Sequence, residues 1–227
     1  MSIITSGPFG KVKGHSGNYN FRVQNDQTIM SIRPGNFKVS QSESSVKNRD
    51  DFSFCSRPLK ELRKITVLYN WWKSSSVKGR YVSNKQLHIN RALIKSYEDL
   101  NNIVLAPSEN YTEVTALSII AEAPVFKLTV NPIPGGVSMK RAYASAQGLL
   151  ILAEPKLETD PVYQFIPLTS AMSELQQGLP QTFDLEPPQW IVLNEYKKIK
   201  VILNLAVYNK MGNAVELSTK LIGDFDF

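Results

Sequence analysis

Prolines divide the second half of this 227-residue chain into short segments, and their spacing limits what the chain can fold into. Ten of them fall between residues 107 and 188, and proline fits poorly inside helices and central strands because it lacks a backbone N–H. Between and after them lie short β-prone runs, at residues 112–120, 125–130, 148–153, 163–166, 190–193, 200–208 and 214–221. This pattern is typical of an antiparallel β-sandwich of immunoglobulin or fibronectin-III type. The single cysteine excludes the immunoglobulin disulfide, so the subtype stays open.

Two hairpins can be predicted from local signals. Tyr19, Phe21 and Val23 alternate with polar residues, as in a half-buried strand, and a returning strand follows the turn residues 25–27. Near the other end, residues 209–213 form a glycine-containing loop between the runs 201–208 and 214–221. A two-stranded hairpin is marginal alone in water, so we expect the first one to pack on other parts of the protein or to join another sheet.

Helical patterns lie between residues 40 and 102. Val46, Phe52 and Cys55 fit one face of a first helix, and Pro58 predicts its end. A third helix is predicted to begin near Ser83. The second helix has an apolar stripe at spacings of three and four, formed by Leu59, Leu62, Ile65, Tyr69 and Trp72. The predicted class is therefore α+β, with a glycine-rich arm, a β-hairpin and helices in residues 1–102 and a mostly antiparallel β-sandwich domain in residues 103–227.

Charge is distributed unevenly along the chain. Residues 1–95 hold 17 Lys and Arg against 5 Asp and Glu, a net charge of +12, whereas residues 96–227 hold 9 against 15, a net charge of −6; together they give the +6 of the whole chain. Such asymmetry favours either a nucleic-acid surface on the first half or head-to-tail packing between copies. A basic face that is merely solvated is the third interpretation.

A glycine-rich arm opens the chain, with four glycines between residues 7 and 17 and a single aromatic residue, Phe9. Glycine lets two backbones approach closely, and the arm has little apolar area with which to order itself. We therefore predict that the arm and the nearby basic residues contact other copies or other particle proteins. The predicted partner-contact residues are Gly7, Phe9, Gly10, Lys11, Lys13, Gly14, Gly17, Arg22 and Arg33.

Residues able to carry chemistry are sparse. His15 lies in the arm and His88 in a helical segment, and neither has a companion in the sequence that would orient it as a base. Cys55 fits a small buried residue. Two histidines and one cysteine cannot build a zinc cluster in the usual way. We therefore expect no catalytic residue, no metal site, no cofactor and no small-molecule substrate.

The arm and hairpin carry a pattern, Gly-x-x-Gly-x-x-x-Gly-x-x-Gly-Asn followed by Ile-Arg-Pro and Arg-x-x-Phe. This pattern resembles an uncharacterised family of Bacteroidota and phage proteins that are described as hypothetical or structural. The resemblance covers about the first quarter of the chain and implies no active site. The matching positions are Gly7, Gly10, Gly14, Gly17, Asn18, Ile32, Arg33, Pro34, Ser42, Arg49 and Phe52.

These observations lead to one expected function and one alternative. The first is a non-enzymatic structural protein of a multi-subunit particle, a tailed-phage virion component of the neck, collar ring, tail or capsid surface. The alternative is an intracellular nucleic-acid-binding or accessory module, since clustered cations beside aromatic residues suit single strands. Residues 1–13 lack the pattern of a signal peptide, and no apolar run is long enough for a bilayer. We therefore expect no membrane partner, and location in a virion assembled in the host cytoplasm, or in the cytoplasm if the protein is not viral.

Overall fold

The chain forms two compact units, Met1–Val46 and Lys47–Phe227. The computed structural model describes residues 2–4, 14–16, 19–24, 27–32, 41–75, 81–107, 111–122, 125–133, 142–176, 178–186 and 195–226. The predicted boundary after residue 102 therefore falls inside the second unit. The division lies instead at the start of the first helix, because the helices that follow share a core with the large sheet, as described below.

The first unit contains a four-stranded antiparallel sheet with strand order β1-β4-β3-β2. Its strands are β1 Ser2–Ile4, β2 Gly14–Ser16, β3 Tyr19–Gln24 and β4 Gln27–Ile32. The strands β3 and β4 pair antiparallel from Tyr19↔Ile32 to Gln24↔Gln27, which confirms the predicted first hairpin. The two residues between them, 25 and 26, lie outside the described ranges.

Three α-helices and a 3-10 helix lie in the second unit, except for the first residues of α1, and their bounds are α1 Glu43–Leu62, α2 Thr66–Ser74, α3 Val82–Asn90 and the 3-10 helix Glu98–Asn102. The predicted break at Pro58 is wrong, since α1 continues through it. An interior proline costs about 3 kcal/mol, but Pro58 lies in a buried stripe with Cys55, Leu59 and Leu62, so one continuous helix places all four against the core. The predicted third helix corresponds to α3, which ends at Asn90, and the buried Ile94 and Leu100 follow in the connecting segment and in the 3-10 helix.

One large sheet forms the rest of the second unit. Its strands are β5 Tyr111–Thr112, β6 Ala116–Glu122, β7 Val125–Val130, β8 Tyr143–Pro155, β9 Tyr163–Ser170, β10 Ser173–Glu174, β11 Gln181–Glu186, β12 Tyr196–Tyr208, β13 Ala214–Ser218 and β14 Leu221–Asp226. The main path runs β5-β13-β12-β8-β9-β11-β7-β6, with β10 pairing β8 and β14 pairing β12. Among the described residues, the strand pairs of this sheet are antiparallel except β13 with β5. The predicted hairpin around residues 209–213 is confirmed, while the run 190–193 lies outside the described ranges.

The sheet curls so that its two ends approach one another. A methyl group placed on Gly223 of β14 would lie 3.1 Å from Ile119 Cδ1 of β6. The concave side encloses one apolar core, to which β8 and β12 contribute the alternate residues Ala146, Leu150, Val201, Leu203 and Leu205. The structure thus confirms the α+β class and a mostly antiparallel, sandwich-like β part, formed by a continuous curled sheet in the described residues.

The helices cover the opposite side of β8 and β12. A second core joins Leu59 and Trp72 of the helices to Leu149, Ile151 and Ile202 of the two strands. Because both faces of these strands are buried, their sequences are nearly continuous apolar runs. The helices therefore belong to the same folded unit as the sheet.

Gly148 permits the closest approach between the two central strands. A Cβ atom at this position would lie 1.9 Å from the Ile202 carbonyl oxygen and 2.9 Å from the Leu203 Cα. Both contacts are with backbone, so a rotamer change cannot relieve them. The strands β8 and β12 could then keep their register only by moving apart.

We predict that Gly148→Ala lowers the free energy of unfolding by about 3 kcal/mol or more, the upper range for overpacked sites. The control is Gly178→Ala, where the added methyl group meets nothing within 4 Å but the backbone has a φ of +71°. That change should cost only roughly 1–2 kcal/mol, the left-handed penalty. Urea unfolding followed by circular dichroism measures both, and equal losses would contradict the assigned contact between β8 and β12.

Candidate functional site

Two of the predicted partner-contact residues lie within the described ranges, both in the N-terminal sheet. Gly14 begins β2 and pairs with Phe21, and Arg22 is exposed on β3 opposite Ile29. The remaining seven residues lie outside the described ranges: Gly7, Phe9, Gly10, Lys11, Lys13, Gly17 and Arg33. The structure therefore places part of the predicted contact surface on a sheet and leaves the arm itself a prediction.

The N-terminal sheet has one apolar face. Directly paired residues of antiparallel strands share a face, and the pairs Tyr19↔Ile32 and Phe21↔Met30 bring four large apolar side chains together. We call these four residues the apolar face of the N-terminal sheet. Ile32 is 75% exposed and Tyr19 is 44% exposed. The pair Arg22↔Ile29 lies on the other side of the same strands.

The residues considered for catalysis are separated in the structure. His88 is exposed on α3. Cys55 is fully buried on α1. Burial raises the pKa of the Cys55 thiol, and the Arg91 guanidinium opposes part of that rise. The thiol therefore remains protonated at neutral pH, where a thiolate would be the nucleophile. Within the described ranges no three His, Cys, Asp or Glu side chains come together as metal ligands.

A buried lysine lies on the helix-facing side of the large sheet. Lys200 of β12 has a side chain that is 2% exposed, and its Nζ lies 2.8 Å from Asp224 Oδ1. The same ammonium donates to Asn101 Oδ1 at 2.7 Å and lies 5.1 Å from the centre of the Tyr97 ring. These contacts replace the water that Lys200 loses on burial. They also attach the 3-10 helix to the sheet.

A second lysine reaches the same asparagine. Lys220 Nζ donates to the Asn101 backbone oxygen at 2.7 Å, so Asn101 accepts hydrogen bonds from two ammonium groups. Lys220 is an exposed residue, and desolvation of part of its side chain lowers its pKa from the ordinary value. Across the parts of the chain that the structure describes, Asp224 pairs with Lys200 and no carboxylate pairs with Lys220. Positive charge is therefore in excess at this position.

Lys220 lines a cavity of 440 Å³ between the chain segment 103–106 and the sheet. Trp72 holds the far side of this segment, its Nε1 donating to the Leu105 oxygen at 2.8 Å. The Val104 N–H donates to Asn90 Oδ1, also at 2.8 Å. These bonds fix one wall of the cavity on the helices. Ile222 and Thr219, beside the gap between β13 and β14, form part of the opposite wall.

Polar side chains cross the buried face of β8 and β12 next to this cavity. Gln147 lies directly opposite Asn204, and its Nε2 donates to Ser145 Oγ and Tyr208 Oη, both at 2.9 Å. Asn204 lines the cavity and donates through Nδ2 to the Ser218 oxygen at 2.5 Å. Gln147 Oε1 and Asn204 Oδ1 have no hydrogen-bond partner in the described structure. Each such buried acceptor costs roughly 1–3 kcal/mol, so this layer is not optimised for stability alone.

Lys200, Lys220 and Asn101 are not among the site residues predicted from the sequence. One signal was available, because Lys200 and Asn204 are polar residues four positions apart in the otherwise apolar stretch 199–208 of this strand. Such spacing indicates one face that meets polar partners. The 99-residue separation between Lys200 and Asn101 could not be inferred from it.

The comparisons with known proteins supply no family. A scan against protein-family models finds no match, and a search of the curated proteins finds none either. The described helices also include none that is both long and apolar enough to cross a bilayer. The proposed function therefore rests on the geometry of the N-terminal sheet and on the resemblance of the N-terminal pattern.

We predict that Cys55 is unreactive in the folded protein. Both the raised pKa and the complete burial of its sulfur protect it. Reaction with a thiol-specific disulfide reagent should be at least a hundred times slower in native protein than in urea, with a native rate that follows unfolding. Reaction of the native thiol at the rate seen in urea would show that the helix-facing core is open.

We predict that Asp224→Ala destabilises the protein more than Lys200→Met. The first change leaves a buried ammonium without its carboxylate, at a cost of about 1–3 kcal/mol, less than for a fully buried pair because Asp224 is 58% exposed. The second removes the charge and keeps an apolar stem, so it should cost about 1 kcal/mol or less. In the double variant the loss should match Lys200→Met alone. Additive losses in urea unfolding would mean that the two charges are uncoupled.

Proposed function

We propose that this chain is a non-enzymatic structural subunit of a multi-subunit particle, specifically a component of a tailed-phage virion. The observation that carries the proposal is the apolar face of the N-terminal sheet, which is exposed at Tyr19 and Ile32 and half-buried at Phe21 and Met30. A subunit that must bind its neighbours needs an apolar surface outside its own core, and this face is such a surface.

The size of the first unit supports this function. It comprises 46 residues, fewer than most domains that are stable alone. A sheet with an apolar face requires a second layer, and the described part of this unit offers only the sheet and the first residues of α1 as regular structure. A neighbouring subunit that covered Tyr19 and Ile32 would supply that layer and stabilise the sheet.

The glycine-rich arm and the charge distribution support a repeating assembly. The arm and hairpin carry the pattern that resembles an uncharacterised family of Bacteroidota and phage proteins described as hypothetical or structural. A net charge of +12 on residues 1–95 and of −6 on residues 96–227 favours contacts between unlike halves of adjacent copies. Neck, collar-ring, tail and capsid-surface positions are all compatible with these properties.

A nucleic-acid-binding module is the competing function. Arg22 is exposed on the side of the sheet opposite the apolar face, where it could meet phosphate. Nucleic-acid binding would lose affinity steeply with salt, whereas association through the apolar face would weaken little. Because charge contacts between copies are screened by salt as well, the two functions are distinguished by which variants reduce binding, those on the apolar face or Arg22→Glu.

The test is the association state of two charge-matched variants. Tyr19→Glu with Ile32→Glu places two carboxylates on the apolar face, at positions already exposed, and should reduce association at least tenfold in sedimentation velocity. Gln27→Glu with Ser31→Glu places two carboxylates on the other face of β4 and should leave association unchanged.

Two results would contradict the proposal. One is a wild-type chain that stays monomeric at every accessible concentration. The other is equal association of both double variants and the wild type, together with DNA affinity that falls steeply with salt and is lost in Arg22→Glu. That second result would favour the nucleic-acid-binding module.

A further inference from the structure

A groove lies between helix α2 and the hairpin of β12 and β13. It has a volume of about 370 Å³, within the range of small-molecule sites. Residues at spacings of three and four share one face of a helix, and α2 lines the groove with Val67, Asn70, Trp71 and Ser74. The hairpin supplies the opposite wall, formed by Tyr208, Gly212, Asn213 and Ala214.

The polar groups of this groove are accessible to a ligand. Asn70, Ser74 and Asn213 are exposed, and Trp71 is half-buried. Trp71 packs against the helix-facing core with part of its surface, which holds the ring in place and leaves the remainder accessible. Among the described residues, no other group hydrogen-bonds the Trp71 indole N–H or the side-chain amides of Asn70 and Asn213. These three groups are therefore left to water or to a ligand.

The loop that carries Asn213 has a fixed backbone. Asn209 Oδ1 accepts hydrogen bonds from the N–H groups of Met211 and Asn213, each at 3.0 Å. The Gly212 N–H donates to the Asn209 oxygen at 2.9 Å, and Gly212 has a φ of +77°, which suits glycine. Because these bonds lie within the hairpin, Asn213 is positioned before a ligand binds, which lowers the ordering cost of binding.

The residue types of the lining select the kind of ligand. In the described structure the lining includes no Lys, Arg, His, Asp or Glu, so a charged ligand would lose hydration there without meeting an opposite charge. A carboxamide both donates and accepts hydrogen bonds, as does each hydroxyl group of a sugar. The electron-rich face of an indole ring suits the C–H groups on the face of a pyranose. The groove therefore combines the groups that a neutral saccharide requires.

We propose that this groove binds a neutral mono- or disaccharide. One pyranose ring stacks on Trp71, and its hydroxyl groups exchange hydrogen bonds with the side chains of Asn70 and Asn213 from the two walls. The site has no reaction attached to it, and it is independent of the apolar face of the N-terminal sheet. A nucleoside, which also stacks on indole, is the ligand that the test must separate from a saccharide.

The probes are the methyl glycosides of glucose, galactose, mannose and N-acetylglucosamine, together with maltose, cellobiose and lactose. Binding is followed by the amide and indole chemical shifts of the full chain. The best probe should have a dissociation constant of about 1 mM, as expected for a ligand of this size. Sorbitol, which has the hydroxyl groups without the ring, cyclohexanol, which has a ring with a single hydroxyl group, and adenosine should each bind roughly tenfold more weakly. The largest shift changes should fall at residues 67–74 and 208–214.

Two pairs of variants test the contacts. Trp71→Met keeps apolar bulk against the core and removes the aromatic ring, so it should weaken the best probe by about tenfold. Its control is Tyr81→Met, which removes an aromatic ring that is 77% exposed outside the groove and should leave binding unchanged. Asn70→Ala should weaken binding by about fivefold through the lost hydrogen bonds. Its control is Asn84→Ala, at an exposed position of α3, which should have no effect. Circular dichroism checks that each variant is folded, and the exposed Asn70 keeps the test valid if Trp71→Met is not.

Any of three results overturns the proposal. The first is unchanged shifts at residues 67–74 and 208–214 with every saccharide at about 50 mM, far above the expected dissociation constant. The second is binding of adenosine or cyclohexanol as tight as that of the best saccharide. The third is a folded Asn70→Ala variant that binds as the wild type does, or equal weakening by Trp71→Met and Tyr81→Met.

Discussion

The second unit depends on the pairing of β8 with β12. These strands have 13 residues each and form a ladder from Tyr196↔Pro155 to Tyr208↔Tyr143. One side of the ladder encloses the core of the curled sheet, and the other side receives the helices. A slip of one residue would exchange the two faces and turn Lys200 and Asn204 into the apolar core. The polar residues on one side thus fix the register that the apolar residues on both sides stabilise.

This register also determines where the polar groups of the helix-facing layer meet their partners. Lys200 faces Asn101 and Asp224, and Asn204 lies where β12 changes partner from β14 to β13. The cavity arises at that change, because the segment 219–220 leaves the ladder between the two partner strands. The apolar face of the N-terminal sheet lies in the other unit, whose described residues offer only the sheet and the first residues of α1 as regular structure.

Local patterns predicted much of the fold. The alternation around Tyr19 to Val23 identified the first hairpin, and the proline-bounded runs identified most strands of the large sheet. Pro58 misled the helix prediction, because a local rule could not weigh the burial of Cys55, Leu59 and Leu62 against one missing hydrogen bond. The boundary predicted after residue 102 also came from a local signal. A change in composition marked the end of the helices, but only tertiary packing shows that helices and sheet share a core.

The residues of the candidate sites were less predictable than the elements that hold them. The exposed pair Tyr19 and Ile32 has a period-two pattern, which indicates an apolar face without stating whether the chain covers it. Lys200 and Lys220 converge on Asn101 from about a hundred positions away, a relation that needs the sheet register. Gly148 gave no local signal either, since its role depends on the backbone of β12.

The central claim is that the N-terminal sheet is completed by another copy of the chain. Hydrogen exchange of the backbone amides of Tyr19 to Ile32, measured over a hundredfold range of protein concentration, tests it most directly. We expect protection of these amides to increase with concentration, while the amides of β8 and β12 stay equally protected throughout. Protection of residues 19–32 that is the same at every concentration would show that the sheet is complete within one chain and would contradict the account.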